Sequence, residues 1–176
     1  MSRATDADWS QLSLTALCDH IEQTHHRYLN AELPRIGLLL DKLTETHGHR
    51  QPELYHLQEV YAGMADDLLG HLPKEESIVF SAIRQIEAGK GRPGSFPFAS
   101  IVYPVKSMTV EHEATSRDLD EVEAFAFSHA ALPDVGDDYK AVISALSALV
   151  VDTRLHIHKE NDVLFPRAID LEIRGR

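Results

Sequence analysis

The sequence predicts an all-α protein, an up-down-up-down four-helix bundle. Apolar residues recur every three or four positions through four long segments, and strand-like alternation is absent between them. The connecting stretches are short, so consecutive helices are expected to run antiparallel. At 176 residues the chain fits one domain. We expect a short N-terminal tail over residues 1–12 and a single bundle over residues 13–172.

The apolar periodicity places the four helices along the chain. The first runs from about residue 14 to 43, and Pro34 is expected to kink it or break it into two pieces. The second runs from residue 53 to about 87, where the segment GKGRPG stops it. The third covers about 101–126, and the fourth covers about 139–169.

Composition and charge exclude several classes of function. A formal net charge of −11 is unsuited to a surface that tracks the phosphates of nucleic acid or binds an acidic membrane. No apolar run approaches the roughly 20 residues of a membrane helix, and the N-terminus has no export signal, so a cytoplasmic location is expected. The single cysteine, Cys18, permits neither an internal disulfide nor a thiolate metal cluster. Eleven histidines then stand out as the unusual feature.

Two of the predicted helices contain the same motif, a histidine followed four residues later by a glutamate. His71 pairs with Glu75 in one, and His156 pairs with Glu160 in the other. Residues four apart lie on one face of a helix, so each pair can direct an imidazole and a carboxylate at one point. The surrounding sequence repeats as well, since HLPKEESIVF (71–80) matches HIHKENDVLF (156–165).

The other two helices each offer a histidine, His26 in the first and His112 in the third. His25 is the rival to His26. A lone histidine or a lone pair of this kind is more often a hydrogen-bonded surface feature than a metal ligand, but two matched pairs favour ligation. Four helices donating imidazoles and carboxylates inward predict a two-metal centre suited to iron or manganese.

With these residues in place, the chain resembles the haemerythrin-like di-iron proteins, and within them the iron–sulfur cluster repair group. The resemblance covers most of the chain. It is carried by LCDHI (17–21), His26 followed by ELP (32–34), the two HxxxE segments and EHE (111–113). Typical members have an additional cysteine-bearing N-terminal domain, so this chain is expected to be a bundle-only member.

The resemblance implies a ligand set and a cofactor. It implies two iron ions joined by an oxo or hydroxo bridge, with manganese the less favoured metal. It also implies acidic residues beside the centre, at the positions of Asp67 and Glu111. The terminal ligands would be His26, His71, His112 and His156, and the bridging carboxylates would be Glu75 and Glu160.

The resemblance further implies repair of iron–sulfur clusters damaged by nitric oxide or oxidative stress. The expected partners are damaged iron–sulfur proteins and small ligands such as nitric oxide or oxygen, and a homodimer is conceivable. Three alternatives stay open: a haemerythrin-like protein that binds or senses oxygen, nitric oxide or iron without turnover, an oxidase or peroxidase, and a purely structural bundle.

Overall fold

A computed structural model describes residues 9–91, 96–130 and 136–175 of the chain. Within these ranges the protein is helical, and four long helices confirm the predicted bundle. A 3₁₀ turn, Trp9–Gln11, precedes the first of them. We label the long helices α1 (residues 14–47), α2 (residues 53–87), α3 (Val102–Ala130) and α4 (Asp137–Arg174).

Three of these helices contain a π-helical turn, which a uniform 3.6-residue period did not predict. The backbone N–H of Arg27 bonds to the carbonyl of Glu22, and that of Phe165 bonds to the carbonyl of Glu160, each five residues back. Such turns accommodate one extra residue and are frequent at functional sites. The helices are therefore composite: α1 is Leu14–Ile21, Glu22–His26 (π) and Arg27–His47; α2 is Glu53–Lys74, Glu75–Phe80 (π) and Ser81–Glu87; α4 is Asp137–His158, Lys159–Leu164 (π) and Phe165–Arg174.

Pro34 does not divide α1 into two pieces, because Arg27–His47 is one continuous helix. Packing against α2 outweighs the local cost of the proline. Tyr61 of α2 is buried there, and its hydroxyl donates a 2.7 Å hydrogen bond to the carbonyl of Leu33.

Two hydrophobic cores lie at opposite ends of the bundle. In α1, the residues of one core (14–21) precede those of the other (29–43), and in α2 the order is reversed. The order reverses again in α3 and once more in α4, which is the signature of an up-down-up-down arrangement. The candidate metal ligands lie where the two cores meet.

By length and composition alone, one described helix, Asp137–Arg174, could cross a membrane. This corrects the expectation that no segment of the chain would pass such a test. The same helix directs His156 and Glu160 into the buried centre of the bundle, where both are at most 1% exposed. We therefore interpret its buried apolar residues, such as Leu146, Leu149 and Val150, as core residues.

Candidate metal centre

Side chains from all four helices meet in a buried cluster between the two cores. It brings together the six residues that the sequence identified as candidate ligands, and each is at most 3% exposed. Charged and imidazole side chains are rarely buried so completely unless they are paired or bind a metal. The six residues are His26 of α1, His71 and Glu75 of α2, His112 of α3, and His156 and Glu160 of α4.

One half of the cluster is formed around His26 and His156. Their Nε2 atoms are 3.2 Å apart. The Nε2 of His156 lies 2.8 Å from Oε1 of Glu160 and 3.8 Å from Oε2 of Glu75. Ligand atoms of these four side chains all lie within 4.8 Å of one another.

The other half is formed around His71 and His112, whose Nε2 atoms are 3.1 Å apart. The Nε2 of His71 lies 3.3 Å from Oε2 of Glu75. The Nε2 of His112 lies 3.3 Å from Oε2 of Glu160. A ligand atom from each of His71, Glu75 and His112 also falls within 4.8 Å of the others.

The two glutamates lie between the halves. Glu160 directs Oε1 at His156 and Oε2 at His112. Glu75 places Oε2 within 3.5 Å of both His26 and His71. Each carboxylate can therefore contact two cations at once, as in carboxylate-bridged metal pairs.

The donor set fits a metal pair. Among the described residues, neither carboxylate oxygen of Glu75 has a hydrogen-bond partner, and Oε2 of Glu160 has none either. Buried carboxylate oxygens without donors are costly unless a cation satisfies them. The spacing of the imidazoles agrees, because two nitrogens bound about 2.1 Å from one metal at right angles lie about 3.0 Å apart.

The outer nitrogens of three of these histidines are held by neighbouring helices. Nδ1 of His26 lies 2.8 Å from Oε1 of Glu76, and Nδ1 of His71 lies 2.9 Å from Oε2 of Glu111. Nδ1 of His112 lies 3.0 Å from Oδ1 of Asn161. An Nδ1–H that donates to such an acceptor leaves Nε2 free to bind a metal.

Glu76 and Asn161 are functional candidates that the sequence analysis missed. They directly follow Glu75 and Glu160 and occupy the same position of the internal repeat. The signal that could have found them was therefore the repeat itself.

The repeat extends to the aromatic residues that cover the cluster. Phe80 stacks on His26 with a centroid distance of 5.5 Å, and Phe165 stacks on His112 at 6.1 Å. The two phenylalanines match in the repeat. The two halves are thus related by approximate twofold symmetry, and both have an apolar lid.

His25 lies outside the cluster. Its Nδ1 is 2.9 Å from Oδ1 of Asp152, and its Nε2 is 2.7 Å from the Lys159 ammonium. Both ring nitrogens are therefore engaged elsewhere, and the ring stacks on His156 at 5.5 Å. The geometry favours His26 as the ligand from α1.

Asp67 and Glu111 occupy different positions relative to the cluster. Glu111 contacts His71 directly, whereas Asp67 lines a cleft of about 160 Å³ beside it. Lys74 lies within 3.2 Å of Glu111 at the same cleft. The acidic residues expected beside the centre thus lie on its α2–α3 side.

The buried carboxylates determine the electrostatics of the centre. Burial alone lowers the pKa of His26, but the nearby negative charges of Glu160 and Glu75 outweigh burial and raise the pKa to about 10. Burial also lowers the pKa of His71, but Glu75 and Glu111 outweigh burial and raise that pKa to about 9. Burial raises the pKa of Glu160, yet His156 and the other imidazoles bring it well below its usual range. Metal binding must therefore displace protons from these imidazoles.

The fold and the histidine–carboxylate cluster together define a metal-binding four-helix bundle. Comparison with known proteins agrees, because residues 19–168 match the family described as the Hemerythrin HHE cation binding domain. The chain belongs to that family.

Three similar proteins have names that refer to iron–sulfur cluster repair. A probable iron–sulfur cluster repair protein of Haemophilus influenzae is 29% identical over 169 residues, covering 94% of this chain and 70% of the relative. The iron–sulfur cluster repair protein YtfE of Yersinia pestis is 28% identical over 162 residues, covering 92% of this chain and 69% of the relative. YtfE of Yersinia pseudotuberculosis is also 28% identical over 162 residues, with the same coverage.

Proposed function

We propose that the cluster binds two iron ions and that the protein takes part in repairing iron–sulfur clusters damaged by nitric oxide or oxidative stress. The observation that carries the metal pair is the position of Glu75 and Glu160, each of which contacts histidines of both halves. The names of the relatives support the repair role. Its partners would be damaged iron–sulfur proteins, and the expected location is the cytoplasm.

The donor set suits iron or manganese. Nitrogen and carboxylate ligands without thiolates suit iron or manganese better than a closed structural zinc site. Bound iron would supply redox chemistry and accessible coordination positions for a small ligand such as nitric oxide. Four imidazoles and two shared carboxylates leave room for such positions, because six-coordinate metals need further ligands.

The residues around the cluster have two further tasks. Glu76, Glu111 and Asn161 orient the imidazoles through Nδ1. Phe80 and Phe165 cover the imidazole faces and restrict water. On the α2–α3 side, the cleft beside His71 provides carboxylate oxygens of Asp67 and Glu111 between the centre and solvent.

The test is recovery of activity in an iron–sulfur enzyme that has been treated with nitric oxide. Reduced, iron-loaded protein should restore more activity than an equal concentration of free ferrous iron. The Glu160→Ala variant, matched in protein concentration, should restore no more than free iron does. If wild type also fails to exceed free iron and instead forms a reversible oxygen adduct, the protein belongs to the binding or sensing class.

A further inference from the structure

The two sides of the cluster correspond in the repeat but are not covered equally. On the α2 side, Asp67 and Lys74 flank His71. The corresponding residues of α4, Asp152 and Lys159, flank His156. The residue before the remaining histidine differs between the two sides. It is Glu111, before His112, on the α2 side and His25, before His26, on the α4 side.

The α2 side is accessible to solvent. The side chain of Lys74 is 51% exposed and reaches Glu111 at the edge of the cleft. The cleft itself is lined by Asp67, His71 and Thr115, among others. Solvent therefore comes close to His71.

The opposite side, between α1 and α4, is closed at Lys159. Lys159 is only 2% exposed, although lysine is rarely buried to this extent. Its ammonium lies 2.7 Å from Nε2 of His25 and 2.9 Å from Nε2 of His20. The indole of Trp9 covers the ammonium, with its ring centroid 4.0 Å away, and also stacks on His20 at 4.4 Å. A cation over an indole face is a stabilising contact.

The segment that carries Trp9 is held in place by a second contact. Arg167 of α4 donates to the carbonyl of Trp9 at 3.3 Å and to the carbonyl of Leu12 at 2.7 Å. Both of these acceptors belong to the backbone, so the clamp does not depend on the side chain of Trp9. The segment is thus attached to α4 at the first residue of the Trp9–Gln11 turn and at the residue that follows the turn.

One imidazole nitrogen behind the closed side, Nδ1 of His156, is buried and lacks a hydrogen-bond partner among the described residues. In the other half, Glu111 accepts from the corresponding atom of His71. On the closed side His25 stands in that position and stacks on His156 instead. Opening this side would therefore expose an imidazole edge with free hydrogen-bonding capacity.

We propose that Trp9, packed on Lys159 and His20, is a cover that closes the second approach to the metal centre. The cation held by His26 and His156 is then retained behind it, while the cation held by His71 and His112 exchanges through the open cleft. The unequal exchange rests on the proposed metal pair. The cover itself does not, because every contact that forms it belongs to the chain.

The first experiment measures the cover in metal-free protein. Lys159 and Lys74 are acetylated with N-hydroxysuccinimidyl acetate, and each modification is quantified by peptide mass spectrometry. Trp9→Ala should increase the rate at Lys159 by about tenfold, the effect of losing a cation–π contact that keeps the cover shut. Lys74 is the internal control and should react at an unchanged rate. Trp9→Phe, which keeps an aromatic face, should remain within about twofold of wild type.

A second variant guards against general unfolding. Arg167→Gln retains Trp9 but removes the hydrogen bonds that hold its segment on α4. It should therefore also increase the acetylation rate of Lys159 and leave that of Lys74 unchanged. Equal acceleration of Lys74, or an unchanged rate at Lys159 in both variants, would overturn the cover.

The second experiment measures exchange in the iron-loaded protein. An excess of a ferrous chelator should remove iron in two phases of equal amplitude, and Trp9→Ala should accelerate only the slow phase. A single phase in wild type, or a slow phase that Trp9→Ala does not change, would overturn the unequal exchange. An iron content below two per chain would instead contradict the proposed function, and the labelling experiment would still decide on the cover.

Discussion

Oε1 of Glu76 lies 2.8 Å from Nδ1 of His26, on the imidazole edge that faces away from the cluster. Glu76 belongs to α2 and directly follows Glu75, whose carboxylate meets the opposite edge of the same imidazole. Two adjacent residues of one helix thus contact both nitrogens of a histidine on another. This arrangement fixes the orientation of the ring and leaves Nε2 as the nitrogen that can bind a metal.

Loss of this contact should weaken metal binding. We expect Glu76→Ala to reduce metal affinity about 10- to 100-fold, because His26 would lose the acceptor that orients it. Glu76→Gln retains an acceptor and should have a smaller effect. Affinity is measured by competition with a chelator. Glu113→Ala, at an exposed position beside His112, is the control, and equal losses in both variants would contradict an orienting role.

Removal of a shared carboxylate should empty the centre. We expect Glu75→Ala and Glu160→Ala to lose most of the bound metal, because each residue contacts both halves. His158→Ala should retain it, since His158 is exposed and pairs with Asp162. Metal content per folded chain is the measurement. Metal loss in His158→Ala with retention in Glu160→Ala would show that the ligand register is wrong.

The choice between the adjacent histidines of α1 can be tested in the same way. His26→Ala should lose metal, whereas His25→Ala should retain it, because both nitrogens of His25 are engaged by Asp152 and Lys159. Circular dichroism checks that both variants remain helical. The opposite result would make His25 the ligand.

Much of the fold and of the cluster could be predicted from spacing. Apolar periodicity located the four helices, and the i, i+4 pairing of His71 with Glu75 indicated inward-facing donors because it follows directly from helix geometry. The π turns could not be predicted, since one extra residue in a turn leaves little trace in a pattern of apolar positions. The burial of Lys159 was equally hidden, because it depends on Trp9, 150 positions earlier in the chain.

The acidic cleft should affect the rate of iron release without affecting the amount bound. Asp67→Asn removes a charge from the cleft wall, so iron release on reduction should slow while the metal content stays constant. Glu111→Gln should slow release as well, with a further loss of affinity, because Glu111 also orients His71. Stopped-flow transfer to a chelator measures the rates. Loss of metal in Asp67→Asn would place Asp67 among the ligands.

The start of α1 should make stability depend on pH. Glu87 accepts from the backbone N–H groups of Leu14 and Thr15 at 2.6 and 2.8 Å. Burial raises the pKa of Glu87, but hydrogen bonds from the Thr15 side chain and from these backbone groups outweigh burial and hold the pKa below its usual value. A carboxyl whose pKa is lower in the folded than in the unfolded state stabilises the folded protein at pH values above its unfolded pKa. This stabilisation is lost as the pH falls through the folded pKa.

We therefore expect Glu87→Gln to reduce the free energy of unfolding by about 1 kcal/mol at neutral pH, the size of a helix-capping effect. The difference from wild type should shrink as the pH falls below the ordinary pKa of glutamate, about 4.3, and through the lower pKa of folded Glu87. Urea unfolding of metal-free protein at several pH values is the measurement. Glu45→Gln, at an exposed position of α1, is the control, and a difference that grows at low pH would contradict this account.

The six buried side chains are proposed to hold two iron ions. The most direct measurement is elemental analysis of wild-type protein purified after expression with iron supplied, expressed as metal per chain. Two iron ions per chain are expected. One metal per chain, or stoichiometric zinc, would contradict the proposal.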